Sequence, residues 1–291
     1  MRDGQLQSLI DARVSRPQAI AEAAANRRKP ESLLGDRGKM MIIACDHPAR
    51  GALAAGTDPQ AMADRTDLLD RIVLALSRPG VNGMLGTADI LEDLLLLGAL
   101  DDKVVVGSMN RGGLQGASFE IDDRFTGYDA ASIAAAGYEG GKMLLRFDYA
   151  DPATADTMQA CAEAVSDLAR HELMAMVEPF LSHRVDGRIK NELTPEAMIK
   201  VMAISSGLGT TSAYTWLKLP VVDDMERVMA ASTLPALILG GEVSVDADAA
   251  YAKWEKALAL PTVKGLVIGR SLLYPPDGDV AKAVDTAVGL L

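Results

Sequence analysis

Eight short apolar runs, interleaved with helix-like segments, restrict the fold of this chain more than any other feature. They lie at residues 40–44, 81–85, 103–106, 142–147, 173–177, 214–219, 236–239 and 264–268. Each is rich in Val, Ile, Leu or Met, the pattern of strands buried on both faces. The segments between them, such as AMADRTDLLDRIVLAL (61–76), repeat apolar residues at three- and four-residue spacing, as amphipathic helices do. Asp58-Pro59, Asp151-Pro152 and Thr194-Pro195 each set a capping side chain before a proline suited to the first helical position. Alternating strands and helices build a parallel α/β domain. Eight such units within 291 residues predict a single (β/α)8 TIM barrel over residues 39–291. A doubly wound open sheet is the competing architecture, but no GxGxxG turn follows the first run. Residues 1–38 read as an N-terminal helical extension, in which AIAEAAANRRK is rich in helix formers and Pro30 closes the segment.

Charge narrows the partners. Forty acidic residues against 29 basic ones give a net charge of -11, and a field of that sign repels nucleic acid. A local basic spot can still hold a small phosphate. Cys45 and Cys161 form no CxxC pair and suit a reducing compartment. The segment MRDGQLQSLIDARV lacks the apolar core of a signal peptide, and ILEDLLLLGAL is interrupted by Glu92 and Asp93 before it reaches membrane-spanning length. A cytoplasmic protein, without membrane or nucleic-acid partners, is expected.

In a barrel of this kind the chemistry gathers at the C-terminal ends of the strands. Polar residues collect there: Asp46-His47 after the first run, Asn110-Arg111-Gly112-Gly113 after the third, and Asp148 after the fourth. The fifth run ends at Glu178, the seventh in Gly240-Gly241-Glu242, and the eighth in Gly269-Arg270. Within the sixth run, YTWLKL, stands Lys218. Lysine is rarely buried, and burial disfavours its ammonium form, which yields the neutral amine that Schiff-base chemistry requires. The competing reading of Lys218 is a strand emerging into solvent. Lys142 sits in the fourth run on one face with Leu144 and Arg146, so it either approaches Lys218 inside the barrel or opens its strand at the solvated rim. A neighbouring ammonium would lower the Lys218 pKa further. Asp46 and Glu178 are candidate proton carriers, with a loop hydrogen bond or an ordinary strand end as the alternatives. Gly240, Gly241, Gly269 and Arg270 follow the last two runs, where barrels often bind phosphate through backbone N–H groups. His47, His171 and His183 are the three histidines; none has HxH or HExxH spacing, so no metal site is expected. Of these, His47 belongs near the substrate.

With these positions assembled, the chain resembles the class I, Schiff-base aldolases of the superfamily that includes archaeal-type fructose-bisphosphate, deoxyribose-phosphate and tagatose-bisphosphate aldolases. The resemblance spans residues 40–275 and rests on IIACDHP, GGKMLLRFDYADP, MVEPF, WLKLP, LILGGE and GLVIGRSLLY, in that order. It implies that Lys218 forms the imine, that Asp46, Glu178 and Lys142 complete the catalytic set, and that Gly241, Gly269 and Arg270 hold a substrate phosphate. Gly240, His47 and Arg111 join the substrate contacts. It also implies no cofactor, a phosphosugar substrate and a homo-oligomer. The substrate is a ketose bisphosphate or a keto-sugar acid such as the 2-deoxy-5-keto-gluconate 6-phosphate of inositol catabolism. Residues 110–113 and SHRVDGRIKNE (182–192) match no branch of that superfamily. The alternatives are a metal-dependent aldolase or isomerase on the same barrel, and a barrel that binds sugar phosphates without turnover.

Overall fold

The structure, a computed structural model, describes residues 4–241, 243 and 246–291. Nine strands form, in the order β1 (Met40–Cys45), β2 (Gly83–Gly86), β3 (Val104–Ser108), β4 (Gly140–Phe147), β5 (Met174–Val185), β6 (Arg188–Asn191), β7 (Thr215–Leu219), β8 (Ala236–Leu239) and β9 (Val263–Ile268). All eight apolar runs are strands of one sheet, ordered β4-β3-β2-β1-β9-β8-β7-β5. Parallel pairing of β4 with β5 closes this sheet into an eight-stranded ring. The fold is therefore the expected (β/α)8 barrel.

Alternation along each strand creates two apolar layers. Met40, Ile42 and Ala44 of β1 meet Leu85, Val104, Val106, Met174, Met176, Leu237 and Val267 inside the ring. Met41, Ile43 and Cys45 face outward, into the larger core shared with the surrounding helices. Burial drives the Cys45 thiol pKa up to about 12, so this residue acts as a small apolar side chain rather than a nucleophile. Ahead of the barrel lie helices Gln5–Ser15 and Ala19–Asn26. Arg27 then anchors the segment to the barrel, its guanidinium donating to the carbonyls of Lys103 (2.8 Å) and Gly137 (2.6 Å) and pairing with Glu139 at 2.7 Å.

Two expectations need correction. Asp58-Pro59 does not start a helix: the Asp58 carboxylate accepts from the N–H of Gln60 in a local turn. The helix Arg65–Leu76 begins later and is capped by Asp64, which accepts from the N–H groups of Thr66 (2.8 Å) and Asp67 (3.0 Å). Thr194-Pro195 does cap its helix, Pro195–Ser206, through the N–H of Ala197. The second correction concerns the fifth run, which does not end at Glu178. β5 continues to Val185, turns through Asp186 and Gly187 at φ 51° and 76°, and pairs antiparallel with β6. Asp-Gly with both residues left-handed is the turn whose twist matches a two-stranded ribbon. The unmatched segment 182–192 is thus a β-hairpin standing beyond the C-terminal end of the barrel.

Candidate active site

Register sets the centre of the site. Leu144 of β4 lies level with Glu178 of β5, and Val177 with Leu217 of β7, so Lys218 emerges beside Glu178 one residue further on. Lys142, level with Met176, sits one layer deeper on the same inward face. The Glu178 carboxylate lies between the two amines: Oε1 accepts from Lys218 Nζ and Oε2 pairs with Lys142 Nζ, each at 2.5 Å. Lys142 Nζ also donates to Asp46 Oδ2 at 3.1 Å. Asp46 Oδ2 further accepts from Ser108 Oγ and pairs with Arg111, whose Nε donates to the same Ser108 hydroxyl at 3.3 Å.

Neither lysine is solvated. Lys142 is completely buried and Lys218 is 4% exposed, which removes the rim reading of the first and the solvent reading of the second. Burial lowers the Lys218 pKa; Glu178 opposes this, while the charges of Arg111 and Arg270 reinforce it. Burial and Arg111 likewise carry the Lys142 pKa well below its ordinary value. Burial opposes ionisation of Glu178, yet Lys142, Lys218 and Arg111 together hold its pKa well below the carboxylate range. Formal charges lead to the same distribution. Asp46 and Glu178 face Arg111, Lys142 and Lys218, so the buried cluster is neutral when one of the two lysines is a free amine. Protons on both lysines leave a net charge away from water, which is costly.

A cavity of about 620 Å³ opens above this cluster, a size usual for small-molecule sites. Lys218, Glu178, His47, Arg111, Gly240, Gly241, Gly269 and Arg270 all line it. Asp46 and Lys142 stand behind that wall, fully buried. His47 presents its ring to the cavity with Nδ1 3.7 Å from Asp46 Oδ1. Burial, then Arg270 and Lys218, keep the imidazole pKa well below 6.5, so the ring is neutral at physiological pH. Glu242 lies outside the described residues. Among the described residues, no three His, Cys, Asp or Glu side chains converge on a common point as a metal centre requires.

Gly269 is required for backbone approach: a Cβ there would lie 2.4 Å from the carbonyl oxygen of Ala44. Gly269→Ala is expected to push β9 away from β1 and cost about 1–3 kcal/mol, measurable as a lowered midpoint in thermal unfolding. An unchanged midpoint would show that the neighbouring loop absorbs the methyl group.

Other wall residues were not read from the sequence as contacts. Arg50 comes from the turn Pro48–Arg50 after β1, and Ile189, Lys190 and Asn191 come from the hairpin. Arg146 of β4 also lines the cavity, but its guanidinium is engaged by Asp123, with Nε–Oδ2 at 2.8 Å and Nη2–Oδ1 at 2.6 Å. Asn110 is wholly internal; it donates to the carbonyl of Leu144 at 2.6 Å and accepts from the Leu144 N–H at 2.7 Å, clamping the loop after β3 to β4.

The arrangement can present an uncharged amine to a carbonyl carbon while a carboxylate within 2.5 Å carries its protons. Comparison with known proteins agrees at the level of fold. An archaeal fructose 1,6-bisphosphate aldolase superposes with a TM-score of 0.68 at 18% identity, covering 93% of this chain and 98% of that one. A Schiff-base-forming fructose-1,6-bisphosphate aldolase gives 0.66 at 17% identity, with 93% and 99% covered. No curated protein matches the sequence. The crystal structure of Cgl0159 from Corynebacterium glutamicum (Brevibacterium flavum) is much nearer, with a TM-score of 0.97 and 53% identity over 100% of this chain and 97% of that one. The Cgl0159-like family profile matches residues 38–288. The family profile and the full-length similarity agree: the chain belongs to the Cgl0159-like family.

Proposed function

We propose that this protein is a class I aldolase that cleaves a phosphorylated ketose or keto-sugar acid reversibly through an imine on Lys218. The observation that carries this reading is a buried, cavity-lining amine hydrogen-bonded to Glu178 at 2.5 Å, in a cluster that is neutral when one of its two lysines is unprotonated. Lys218 Nζ adds to the ketose carbonyl. Glu178 takes a proton from the adding nitrogen and returns it to the oxygen, giving the carbinolamine. A second proton, taken up from solvent, lets the hydroxyl leave as water, and an iminium ion remains. The bond between C3 and C4 then breaks, its electron pair moves into the iminium to give an enamine, and the C4 hydroxyl proton goes to a carboxylate. Glu178 and Asp46 share this proton traffic; among the described residues Asp46 Oδ1 accepts no hydrogen bond. Lys142 holds both carboxylates in place. Protonation of the enamine and hydrolysis of the imine release the second product and restore the amine.

The substrate phosphate lies against Gly240, Gly241, Gly269 and Arg270, with His47 and Arg111 contacting hydroxyl groups. A ketose bisphosphate and 2-deoxy-5-keto-gluconate 6-phosphate both fit the chemistry. Such an enzyme belongs in the cytoplasm and works as a homo-oligomer. The test is borohydride reduction in the presence of dihydroxyacetone phosphate, followed by intact-mass measurement and peptide mapping. A reduced adduct on Lys218 is the expected result. No adduct on any lysine, with turnover sensitive to chelator, would replace the imine with a metal-dependent reaction. No adduct and no turnover would leave a barrel that only binds phosphosugars.

A further inference from the structure

Six basic side chains line the cavity: Arg50, Arg111, Arg146, Lys190, Lys218 and Arg270. Three of them are balanced by carboxylates, Arg111 by Asp46, Lys218 by Glu178 and Arg146 by Asp123. Arg270 adjoins the glycines of β8 and β9. Arg50 and Lys190 differ from all of these, because among the described residues neither forms an ion pair. The Nε of Arg50 is buried and has no hydrogen-bond partner. Burying such a group costs free energy unless something arrives to accept from it.

Loop contacts place Arg50 and the hairpin away from the glycine cradle. In the closed ring β4 lies half-way round from β9, and β3 half-way round from β8. Arg50 follows β1 but reaches towards the β3–β4 side, where the charges of Arg146, Asp123 and Glu120 act on it. Its carbonyl accepts from the N–H of Gln115 at 2.9 Å, joining the Pro48–Arg50 turn to the loop after β3. The hairpin that carries Lys190 is tied to that same loop, since Arg184 donates to the carbonyl of Ser118 at 3.0 Å. Three separate segments therefore converge on the far wall, and two of them bring a cation with no counter-ion.

We infer that Arg50 and Lys190 form a second anion subsite, which receives a carboxylate or phosphate at the end of the substrate remote from the Gly240, Gly241, Gly269 and Arg270 cradle. This rests on the cavity holding a sugar phosphate, as proposed above. The substrate then carries an anionic group at each end, and the aldehyde product released on cleavage is itself an anion. The planar guanidinium suits either oxyanion through paired N–H donors.

Equilibrium binding separates this inference from the imine mechanism, because the probes have no carbonyl to attack. Glucitol 6-phosphate, glucitol 1,6-bisphosphate and 6-phosphogluconate are titrated calorimetrically into the wild type and into Arg50→Gln, Lys190→Gln, the double variant and Arg50→Lys. The wild type is expected to bind at least one doubly anionic probe about tenfold to a hundredfold tighter than glucitol 6-phosphate, the value of one charge-assisted contact. Preference for 6-phosphogluconate alone identifies a carboxylate subsite, and for the bisphosphate alone a phosphate subsite. Arg50→Gln removes most of the preference, Lys190→Gln part of it, and Arg50→Lys retains part because the charge remains. Equal affinity for all three probes in the wild type overturns the inference, as does a preference that survives in the double variant. Lys190 is exposed, so its substitution tests the subsite even if Arg50→Gln fails to fold. Borohydride trapping on the same samples judges the aldolase reading separately: a protein that forms no imine yet keeps the probe preference loses the mechanism and keeps the subsite.

Discussion

Lys218→Ala is expected to lower kcat/KM for cleavage by at least about 10³-fold and to eliminate borohydride-trappable adduct, because among the described residues Lys218 is the cavity-lining lysine that is buried and hydrogen-bonded to Glu178. Lys142 is the nearest alternative amine. It is completely buried behind the cavity wall and pairs with both Glu178 and Asp46, so it cannot reach a carbonyl in the cavity without breaking two ion pairs. Stability is expected to change little. Removing a buried amine leaves Asp46, Glu178, Arg111 and Lys142 in balance, and the variant should unfold at a temperature close to that of the wild type. Circular dichroism melts alongside mass spectrometry of reduced samples measure both. Adduct formation on the alanine variant would transfer the chemistry to another lysine. The pH dependence has a definite sign: the lowered pKa of Lys218 gives more neutral amine below pH 10.5 than an ordinary lysine would, so imine formation rises with pH and levels off below that value.

Glu178→Gln should have the second largest effect, and on two observables. Turnover is expected to fall by about 10²–10⁴-fold, the usual contribution of a positioned proton carrier. Stability is expected to fall by about 3–5 kcal/mol, as when one partner of a buried ion pair is removed. The amide keeps the shape of the carboxylate but leaves Arg111 and Lys142 facing Asp46 alone, with Lys218 unpaired. Lysine deprotonation can relieve part of that imbalance, so the loss should shrink as pH rises. Acid behaviour separates charge from shape. In the wild type the Glu178 pKa is depressed by Lys142, Lys218 and Arg111, so its stabilisation is complete above the unfolded carboxyl pKa and is lost as pH falls through the lower folded value. Unfolding midpoints of the variant should therefore fall less steeply below about pH 4.5 than those of the wild type. Parallel acid limbs would mean that the carboxylate contributes no charge-dependent stability.

The hairpin shows where sequence reading stopped short. The run HRVDGRI carries an Asp-Gly pair between two short β-compatible stretches, a recognisable turn signal, yet Glu178-Pro179 resembled the end of a strand. Proline is tolerated there because Leu145↔Pro179 belongs to a ladder whose strand runs on past it to Val185. Asp58-Pro59 misled for the opposite reason. Its cap signal is sound, but the Met62 N–H bonds to the carbonyl of Leu53, and Ala55 bridges Asp58, so a tertiary loop uses the residues that a helix would have begun with.

Period, spacing and punctuation in the chain were enough to point to eight parallel strands in a closed barrel, and to single out Lys218 and Glu178 as candidates on two of them. Each of these follows from local patterns: a buried strand must be apolar throughout, and a strand end must be polar where it meets the cavity. Tertiary structure alone decided three further things. It set Glu178 between two amines, it placed Asp46 and Lys142 behind the wall, and it brought Arg50 and Lys190 to one side of the cavity from segments about 140 residues apart in sequence. The balance of charge among residues joined only by ring closure depends on distances and desolvation, and these exist only once the barrel has closed.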